Sequence, residues 1–280
     1  MDFRKLSLVI VGAVFSAMAA TVPASATSVR VTVTNPNGPG GLSLTPLYFG
    51  FHNGTVDLFD SGSAASNGIE QIAETGNFAP LRGERLAQQA NSVGDAALGL
   101  SIGAPGPIEP GETASFVINL DSVANRFMFF AAMVLPSNDT FVGVDDPMQF
   151  SLFDAGGNFL GPQTIDITGA FAYDAGTEIN DASVTGGAAF VQGVDIAQGG
   201  TENGVISGAS SLSDFLGLTL ANGTLLNGDI DFLSDPDNFV FARIEISAVP
   251  LPPALILMGA GLASLGVFGR RRRSLAVRAG

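Results

Sequence analysis

The sequence predicts an all-β fold, a sandwich or a barrel built from short strands. Two observations lead to this prediction. Apolar and polar residues alternate with a period of two in the first and last segments of the central region, 27–253. Clusters of Gly, Asn, Asp and Pro separate the apolar segments between them, which is typical of frequent tight turns. Because no linker interrupts this region, a single large domain is expected.

The segment 1–26 has the features of a secretory signal peptide. The basic residues Arg4 and Lys5 precede an apolar run over 6–20, and small residues occupy 24–26. This order of charge, apolar core and small residues is typical of an export signal. The run is shorter than the ~20 residues that span a bilayer core, which argues against a membrane anchor. We expect cleavage after position 26.

Half-buried strands are predicted at both ends of the central region, and four more lie between them. In the first strand, the apolar residues of the pattern are Val29, Val31 and Val33. In the last strand, Val240, Ala242, Ile244 and Ile246 form the predicted buried face, and Phe241, Arg243 and Glu245 form the opposite face. The intervening strands are predicted over 115–120, 127–135, 148–153 and 188–194.

Helical spacing of apolar residues occurs only early in the central region. It predicts two short helices in one crossover loop. Their caps and apolar residues are Ser66, Asn67, Ile69, Ile72 and Ala73 in the first, and Leu86, Ala90 and Val93 within 81–93, before Gly94, in the second. The Gly-rich stretch 199–228 has no strong period and is predicted to be loop, with a short helix or strand near 212–220.

Composition and charge exclude several functions. The central region has five arginines and 25 acidic residues, a formal charge of −20, which excludes nucleic acid as a partner because such a surface repels phosphates. The absence of Cys excludes a disulfide framework and a thiol nucleophile. His52 is the only histidine, so no multi-histidine zinc site can form. Since His52 lies where a strand leaves for a turn, we interpret it as a hydrogen-bonded loop residue.

The C-terminal segment, 249–280, combines a proline motif, an apolar helix over 254–268 and an arginine cluster over 270–273. This order describes a single membrane span whose arginines stay in the cytoplasm. The proline motif consists of Val249, Pro250, Leu251, Pro252 and Pro253. An ordinary C-terminal anchor is the alternative interpretation.

The tail resembles a PEP-CTERM sorting signal of the VPLPA type. That resemblance implies a Gram-negative bacterium and processing by an exosortase-type membrane transpeptidase, which passes the protein from a transient membrane anchor to the cell surface or the extracellular matrix. Pro253 stands where the variant usually has Ala. The exact cleavage position is therefore left open.

Acidic residues lie in one turn and one loop of the predicted sandwich. Asp139 lies in the turn after the apolar strand 127–135, while Asp174 and Glu178 lie in a second loop further along the chain. Two such loops at one end of a sandwich can bring three carboxylates around a hard cation. Calcium, which takes about 6–8 oxygen ligands, fits this donor type. The residues therefore predict a calcium site.

These loops resemble the spondin N-terminal domain family, and the likeness extends over nearly the whole central region. The matching residues are Met133, Pro136, Ser137, Asp139, Gly143 and Val144 in the first loop, and Asp174, Ala175, Gly176 and Thr177, followed by Glu178, in the second. The resemblance implies a C2-like antiparallel β-sandwich over 27–248, without enzymatic activity, with Asp139, Asp174 and Glu178 as calcium ligands.

The chain departs from the family pattern at three positions of these loops. Asn138 replaces a proline, Thr140 a tryptophan and Glu178 an aspartate. These differences predict a less rigid first loop and one ligand that is longer by a methylene. Calcium tolerates such variation better than magnesium does.

Together these features predict an exported, surface-sorted, calcium-binding module that acts in adhesion or in extracellular matrix or biofilm. Its expected partner is an extracellular polysaccharide or a surface protein. The alternative is a secreted carbohydrate-binding or carbohydrate-active protein that uses the acidic loops. Phe accounts for 21 of the aromatic residues and Trp is absent, which disfavours a sugar-stacking platform.

Overall fold

A computed structural model of the chain describes residues 26–100 and 106–250. These residues form twelve strands, the helices α1 (Asn67–Thr75) and α2 (Ala79–Gln88), and three short 3-10 helices. The strands are β1 (Thr27–Thr34), β2 (Ser43–Leu44), β3 (Leu47–His52), β4 (Val93–Ala97), β5 (Thr113–Leu120), β6 (Phe127–Leu135), β7 (Thr140–Gly143), β8 (Phe150–Ser151), β9 (Gln163–Thr168), β10 (Ala172–Asp174), β11 (Ser207–Gly208) and β12 (Val240–Ala248).

The strands form two antiparallel sheets that share one hydrophobic core. The smaller sheet has the order β5-β1-β12-β9. The larger has the order β11-β10-β7-β6-β3-β4, with β2 and β8 also paired to β6. Aromatic side chains connect the two sheets, as where Phe49 of β3 packs 5.5 Å from Phe116 of β5. The all-β prediction is confirmed, and two sheets around a common core are the arrangement expected of a β-sandwich.

The period of two correctly identified the first and last strands. Val29, Val31 and Val33 of β1 are fully buried and face the core. In β12 the alternation shifts at Phe241, which is buried although the pattern predicts it to be exposed. The cause is an irregularity in the pairing of β12 with β9 between Val240 and Ala242, which turns two consecutive side chains inward.

The apolar segment 127–135 forms β6 with the predicted bounds. It pairs with β3 and β7 in the middle of the larger sheet, and both of its faces are covered. Gly50 of β3 is needed at this contact, because a Cβ there would lie 2.0 Å from ring atoms of Phe129. A continuous apolar run is the expected sequence of a strand buried on both faces.

Helix α1 matches its prediction. Ser66 caps it by accepting a hydrogen bond from the Ile69 amide, and Ile69, Ile72 and Ala73 are buried. Glycine at its C-cap, Gly76, adopts the left-handed conformation that ends many helices.

The second helix and its connection differ from the prediction. Helix α2 ends at Gln88, Leu86 is partly exposed on its surface, and Val93 begins β4. The backbone turns extended at Gln89, whose side chain bonds neighbouring loops instead of continuing the helix. Both helices lie between β3 and β4, which are adjacent strands of the same sheet, so the connection is not a crossover.

The strand predicted over 188–194 is absent from the described structure. Phe190 and its neighbours Gly187 and Gly193 have positive φ angles, which no regular strand contains. Only isolated bridges form there, such as Val191 with Leu220. The strand predicted over 148–153 is reduced to β8, while 199–228 is mainly loop with the expected short helix, Ser213–Phe215.

The predicted membrane segments lie outside the described residues. This applies to all of the signal peptide except Ala26, to the apolar helix over 254–268 and to the arginine cluster. Within 26–100 and 106–250, no helix is both long and apolar enough to cross a membrane.

His52 ends β3 and is fully buried, and its interpretation as a hydrogen-bonded residue at a turn is confirmed. Its Nδ1 accepts hydrogen bonds from the amides of Gly54 and Val56, at 3.2 and 3.4 Å. Its Nε2 is buried with no hydrogen-bond partner among the described residues. Burial, and then the charge of Arg85, lower the pKa of His52 to about 4.

This shift predicts an acid-dependent loss of stability through His52. The folded-state pKa lies below the ordinary value of 6.5, so the unfolded chain binds the proton first as the pH falls. Between pH 7.0 and 4.5 the wild type should lose about 2 kcal/mol of unfolding free energy through this group. In the variant His52→Asn, an amide oxygen can replace Nδ1 as the acceptor without titrating. Urea unfolding at both pH values should show a smaller loss for the variant, and equal losses would contradict the prediction.

Candidate metal centre

The two acidic loops predicted from the sequence lie side by side at one end of the larger sheet. Asp139 lies in the short loop between β6 and β7, and Asp174 is the last residue of β10. Strands β7 and β10 are paired with Thr140 opposite Asp174, so the register of the sheet brings the loops together. Both carboxylic residues are buried.

Asn138 holds the first loop against the second. Its backbone N–H donates to Asn180 Oδ1 at 2.9 Å, and its side-chain Oδ1 accepts from the backbone N–H of Asp181 at 3.0 Å. Its Nδ2 donates to the Gly186 carbonyl at 2.6 Å. The side chain of Asn138 thus ties the first loop to the rest of the site, in the position where the family pattern has a proline.

The two carboxylate oxygens of Asp139 have different surroundings. Oδ2 accepts hydrogen bonds from the amides of Thr177 and Glu178, at 2.9 and 3.0 Å. Oδ1 is buried and makes no hydrogen bond to the described residues, although the Gly176 amide, which donates to Asp174 Oδ1, lies close enough to Asp139 to lower its pKa slightly against the effect of burial. Buried carboxylate oxygens are rarely left in this state, because an unmatched buried acceptor costs about 1–3 kcal/mol. Such an atom is a natural ligand for a cation.

A third acid, Glu202, completes a cluster with Asp139 and Asp174. The three residues offer carboxylate oxygens that all lie within 4.8 Å of one another. The loop that carries Glu202 is fixed by backbone bonds, from the Glu202 amide to the Thr177 carbonyl and from the Gly204 amide to the Gly176 carbonyl. The acids therefore come from three loops separated in sequence.

Gly176 makes the approach of this third loop feasible. It has a positive φ of 67°, and a Cβ at this position would lie 2.6 Å from the Val205 carbonyl oxygen. Any other residue would be both strained and in contact with the loop that carries Glu202. This explains physically why a glycine lies two residues after Asp174.

Glu178, the third ligand proposed from the sequence, is beside this cluster but not part of it. Its Oε2 accepts a hydrogen bond from Asn138 Nδ2 at 3.5 Å, and its carboxylate packs against Gly199. Its backbone amide, rather than its side chain, contacts Asp139. The carboxylates that converge are those of Asp139, Asp174 and Glu202.

The surroundings of the acids at this site disfavour their ionised forms. Burial, and then the charge of Asp139, raise the pKa of Asp174 to about 6. Burial, followed by the charge of Glu74, raises the pKa of Glu178 to about 7. The pKa of Asp139 is also raised by burial, despite the hydrogen bonds that it accepts. No basic side chain within the described ranges forms an ion pair with these acids, since the one ion pair found there joins Arg243 to Asp166.

This donor set suits a hard divalent cation. It consists of carboxylate oxygens alone, without the imidazole or thiolate ligands that zinc and copper prefer. Calcium accepts about 6–8 oxygens in flexible geometry, so backbone carbonyls and water can complete the shell.

Sequence reasoning did not identify Glu202. It lies in the Gly-rich stretch 199–228, where neither strand nor helix periodicity gives a side chain a direction. The only local signal is the turn pair Asn203 and Gly204 directly after it. Its role depends on a contact between distant loops, which no spacing rule encodes.

A family model described as Spondin_N matches residues 42–185, which is just over half of the chain. The match includes both helices and strands β2 to β10, and with them Asp139, Asp174 and Glu178, whereas Glu202 lies beyond its end. A search of curated proteins finds no match.

Proposed function

The chain belongs to the Spondin_N family, the spondin N-terminal domains, and from this premise we propose that it is an exported, non-catalytic, calcium-binding module of adhesion or of the extracellular matrix or biofilm. Members of this family are typically extracellular. The strong negative charge of the central region agrees with a soluble surface that recruits cations. The partner we propose is an extracellular polysaccharide or a surface protein.

The observation that carries the proposal is the unmatched oxygen of Asp139. Oδ1 is buried, lacks a hydrogen bond and belongs to the residue that Asp174 and Glu202 approach. A calcium ion at this place would supply the missing partner and neutralise repulsion among three carboxylates. The ligands proposed are therefore Asp139, Asp174 and Glu202, with Glu178 retained as the alternative third ligand.

We propose further that the chain reaches the cell surface through its two ends. The signal peptide over 1–26 would direct export, and the tail over 249–280 would anchor the domain over 27–248 in the membrane before an exosortase-type enzyme processes it, as in Gram-negative bacteria. Mass spectrometry of the surface-extracted protein tests this. A mature form that begins at Thr27 and ends within or just after 249–253 is expected, and an intact full-length form would contradict it.

Calcium titration is the direct test of the site. One saturable calcium site is expected by calorimetry, and at a free calcium concentration 100 times Kd the folded state should gain about 2.7 kcal/mol. For a domain of this size, that corresponds to a rise in Tm of about 5–10 °C. Magnesium at the same concentration is the control, since its smaller ion requires near-octahedral geometry and should give a smaller rise. Equal Tm values with calcium and with chelator would refute the proposed site.

A further inference from the structure

A groove at the end of the sandwich opposite the candidate metal centre is lined by several asparagines and one aspartate. It has a volume of about 550 Å³ and lies where β1 and β5 of one sheet meet the ends of β3, β4 and β6 of the other. The candidate metal centre follows the last residue of β6, whereas this groove adjoins its first. The lining residues are Ala26, Asn53, Asn91, Val93, Asn119, Asp121, Val123, Ala124 and Asn125.

The amide groups of this groove are oriented by the protein. Asn53 Oδ1 accepts from the amide and the hydroxyl of Thr55, and Asn91 Oδ1 accepts from Gln89 Nε2 at 2.9 Å. Asn119 Oδ1 accepts from the Ser28 hydroxyl at 2.5 Å. Each oxygen is engaged, and none of the three Nδ2 groups has a hydrogen-bond partner among the described residues, so they remain available as donors.

A carboxylate adds one acceptor to these donors. Asp121 Oδ1 accepts from the amides of Val123 and Ala124, at 2.9 and 2.8 Å, while Oδ2 has no hydrogen-bond partner among the described residues. Below it, Asn125 is buried, with its Oδ1 bonded to the Asp121 amide and its Nδ2 to the Phe51 carbonyl. The acceptor therefore stands on a rigid base.

We propose that this groove binds a neutral oligosaccharide, with a vicinal diol held between the free amide donors of Asn53, Asn91 and Asn119 and the free oxygen of Asp121. A sugar hydroxyl accepts one hydrogen bond and donates another, which matches this combination of groups. The side chains of Val93 and Val123 offer apolar contact for the carbon face of the ring.

The charges and the lining determine the class of ligand. No Lys or Arg among the described residues lines the groove, and the central region carries a formal charge of −20, which outweighs the single α-amino charge that cleavage before Thr27 would place beside the groove, so uronic and sulfated sugars are disfavoured. No aromatic side chain of residues 26–100 and 106–250 lines it either, which removes the stacking that gives many sugar sites their affinity. We expect a Kd of about 1 mM.

The test is an NMR titration of the full chain with neutral trisaccharides, namely maltotriose, cellotriose and mannotriose. At least one should give saturable shifts that include the side-chain amides of Asn53, Asn91 and Asn119. The variant Asp121→Asn keeps the acceptor Oδ1 but turns Oδ2 into a donor, and it should weaken binding about tenfold. The matched control is Asp195→Asn, an exposed aspartate that also caps its own turn, at Ala197, outside the groove.

Three results of the sugar titrations would overturn the proposal, and a fourth concerns calcium. They are the absence of saturable shifts with all three sugars up to about 20 mM, equal affinity of wild type and Asp121→Asn, or tighter binding of a uronic acid trisaccharide than of a neutral one. Chelation of calcium should leave sugar binding unchanged. A requirement for calcium would place the ligand at the metal centre instead and would equally reject the groove.

Discussion

Replacing Asp139 with asparagine is expected to make the calcium-free protein more stable and to abolish its stabilisation by calcium. An amide oxygen can still accept the hydrogen bonds from Thr177 and Glu178. The amide nitrogen then takes the place of the unmatched Oδ1 and can donate to a neighbouring carboxylate such as Asp174. The variant therefore removes a buried charge that the hydrogen bonds compensate only in part and that no basic side chain of the described residues pairs with.

The expected gain in chelator is about 1–3 kcal/mol of unfolding free energy, the usual cost of an unmatched buried polar atom. Calcium should then leave the Tm of the variant unchanged, whereas it raises that of the wild type. Urea unfolding with chelator and with excess calcium measures both effects. Asp154→Asn is the control, because Asp154 caps the turn after β8, which pairs with the start of β6 far from the site. A variant less stable than the wild type in chelator would contradict this account.

This reversal of sign is informative because a structural role and a ligand role predict different results. If the Asp139 carboxylate only accepted backbone hydrogen bonds, removal of its charge would lower the stability of the folded protein, because charged acceptors form the stronger hydrogen bonds. The pKa of Asp139 is raised by burial in spite of those bonds, so the ionised form is disfavoured in the calcium-free protein. An ionised, buried carboxylate destabilises the folded protein when no cation is bound, and it contributes to stability only when a cation binds it.

The elements of the fold that could be predicted are those whose burial pattern or capping depends on residues close together in the sequence. Strand β1 has one buried and one exposed face, so its period of two appears directly in the sequence. Strand β6 is covered on both sides and appears as a continuous apolar run. Ser66 and Gly76 mark the ends of α1 by local capping.

The parts that could not be predicted depend on distant contacts. The segment 188–194 has strand-like composition, but positive φ angles at Gly187, Phe190 and Gly193 turn it into loop. Helix α2 ends early because the Gln89 side chain bonds Asn53 and Ala124, which lie in other loops. Composition cannot encode such partners, since they are brought together only when the sheets have formed.

The candidate site shows the same division. The pairing of β7 with β10 brings Asp139 and Asp174 together, and both were identifiable because the first lies in the turn after the apolar strand 127–135 and the second lies in an acidic loop further along the chain. Glu178 shares a loop with Asp174, which made it the natural third choice. Glu202 arrives from a loop without periodicity, through the close approach of Gly176 to Val205. A third ligand of this kind can be identified only from the structure.

The identity of the third ligand is tested by a matched pair of variants, Glu202→Gln and Glu178→Gln. Each removes one negative charge and keeps the size of the side chain. If Glu202 coordinates the cation, its replacement should raise the calcium Kd about 30-fold, equivalent to about 2 kcal/mol. Glu178 acts on the ion only through its charge, and because it lies beside the cluster its replacement should change Kd by about threefold or less. Calorimetric titration of both variants under the same conditions measures the difference.

The opposite order of effects on the calcium Kd would support the ligand set predicted from the sequence, which includes Glu178 instead of Glu202. A large effect of Glu178→Gln with little effect of Glu202→Gln would mean that the carboxylate bonded to Asn138 turns toward the ion when calcium binds. Under the ranking we expect, the cation joins three loops, two inside the family match and one beyond it, so that calcium stabilises the contact between Gly176 and the loop at 199–206. Hydrogen exchange would then show protection of the Glu202 and Gly204 amides that increases with calcium in the wild type and is lost in Glu202→Gln.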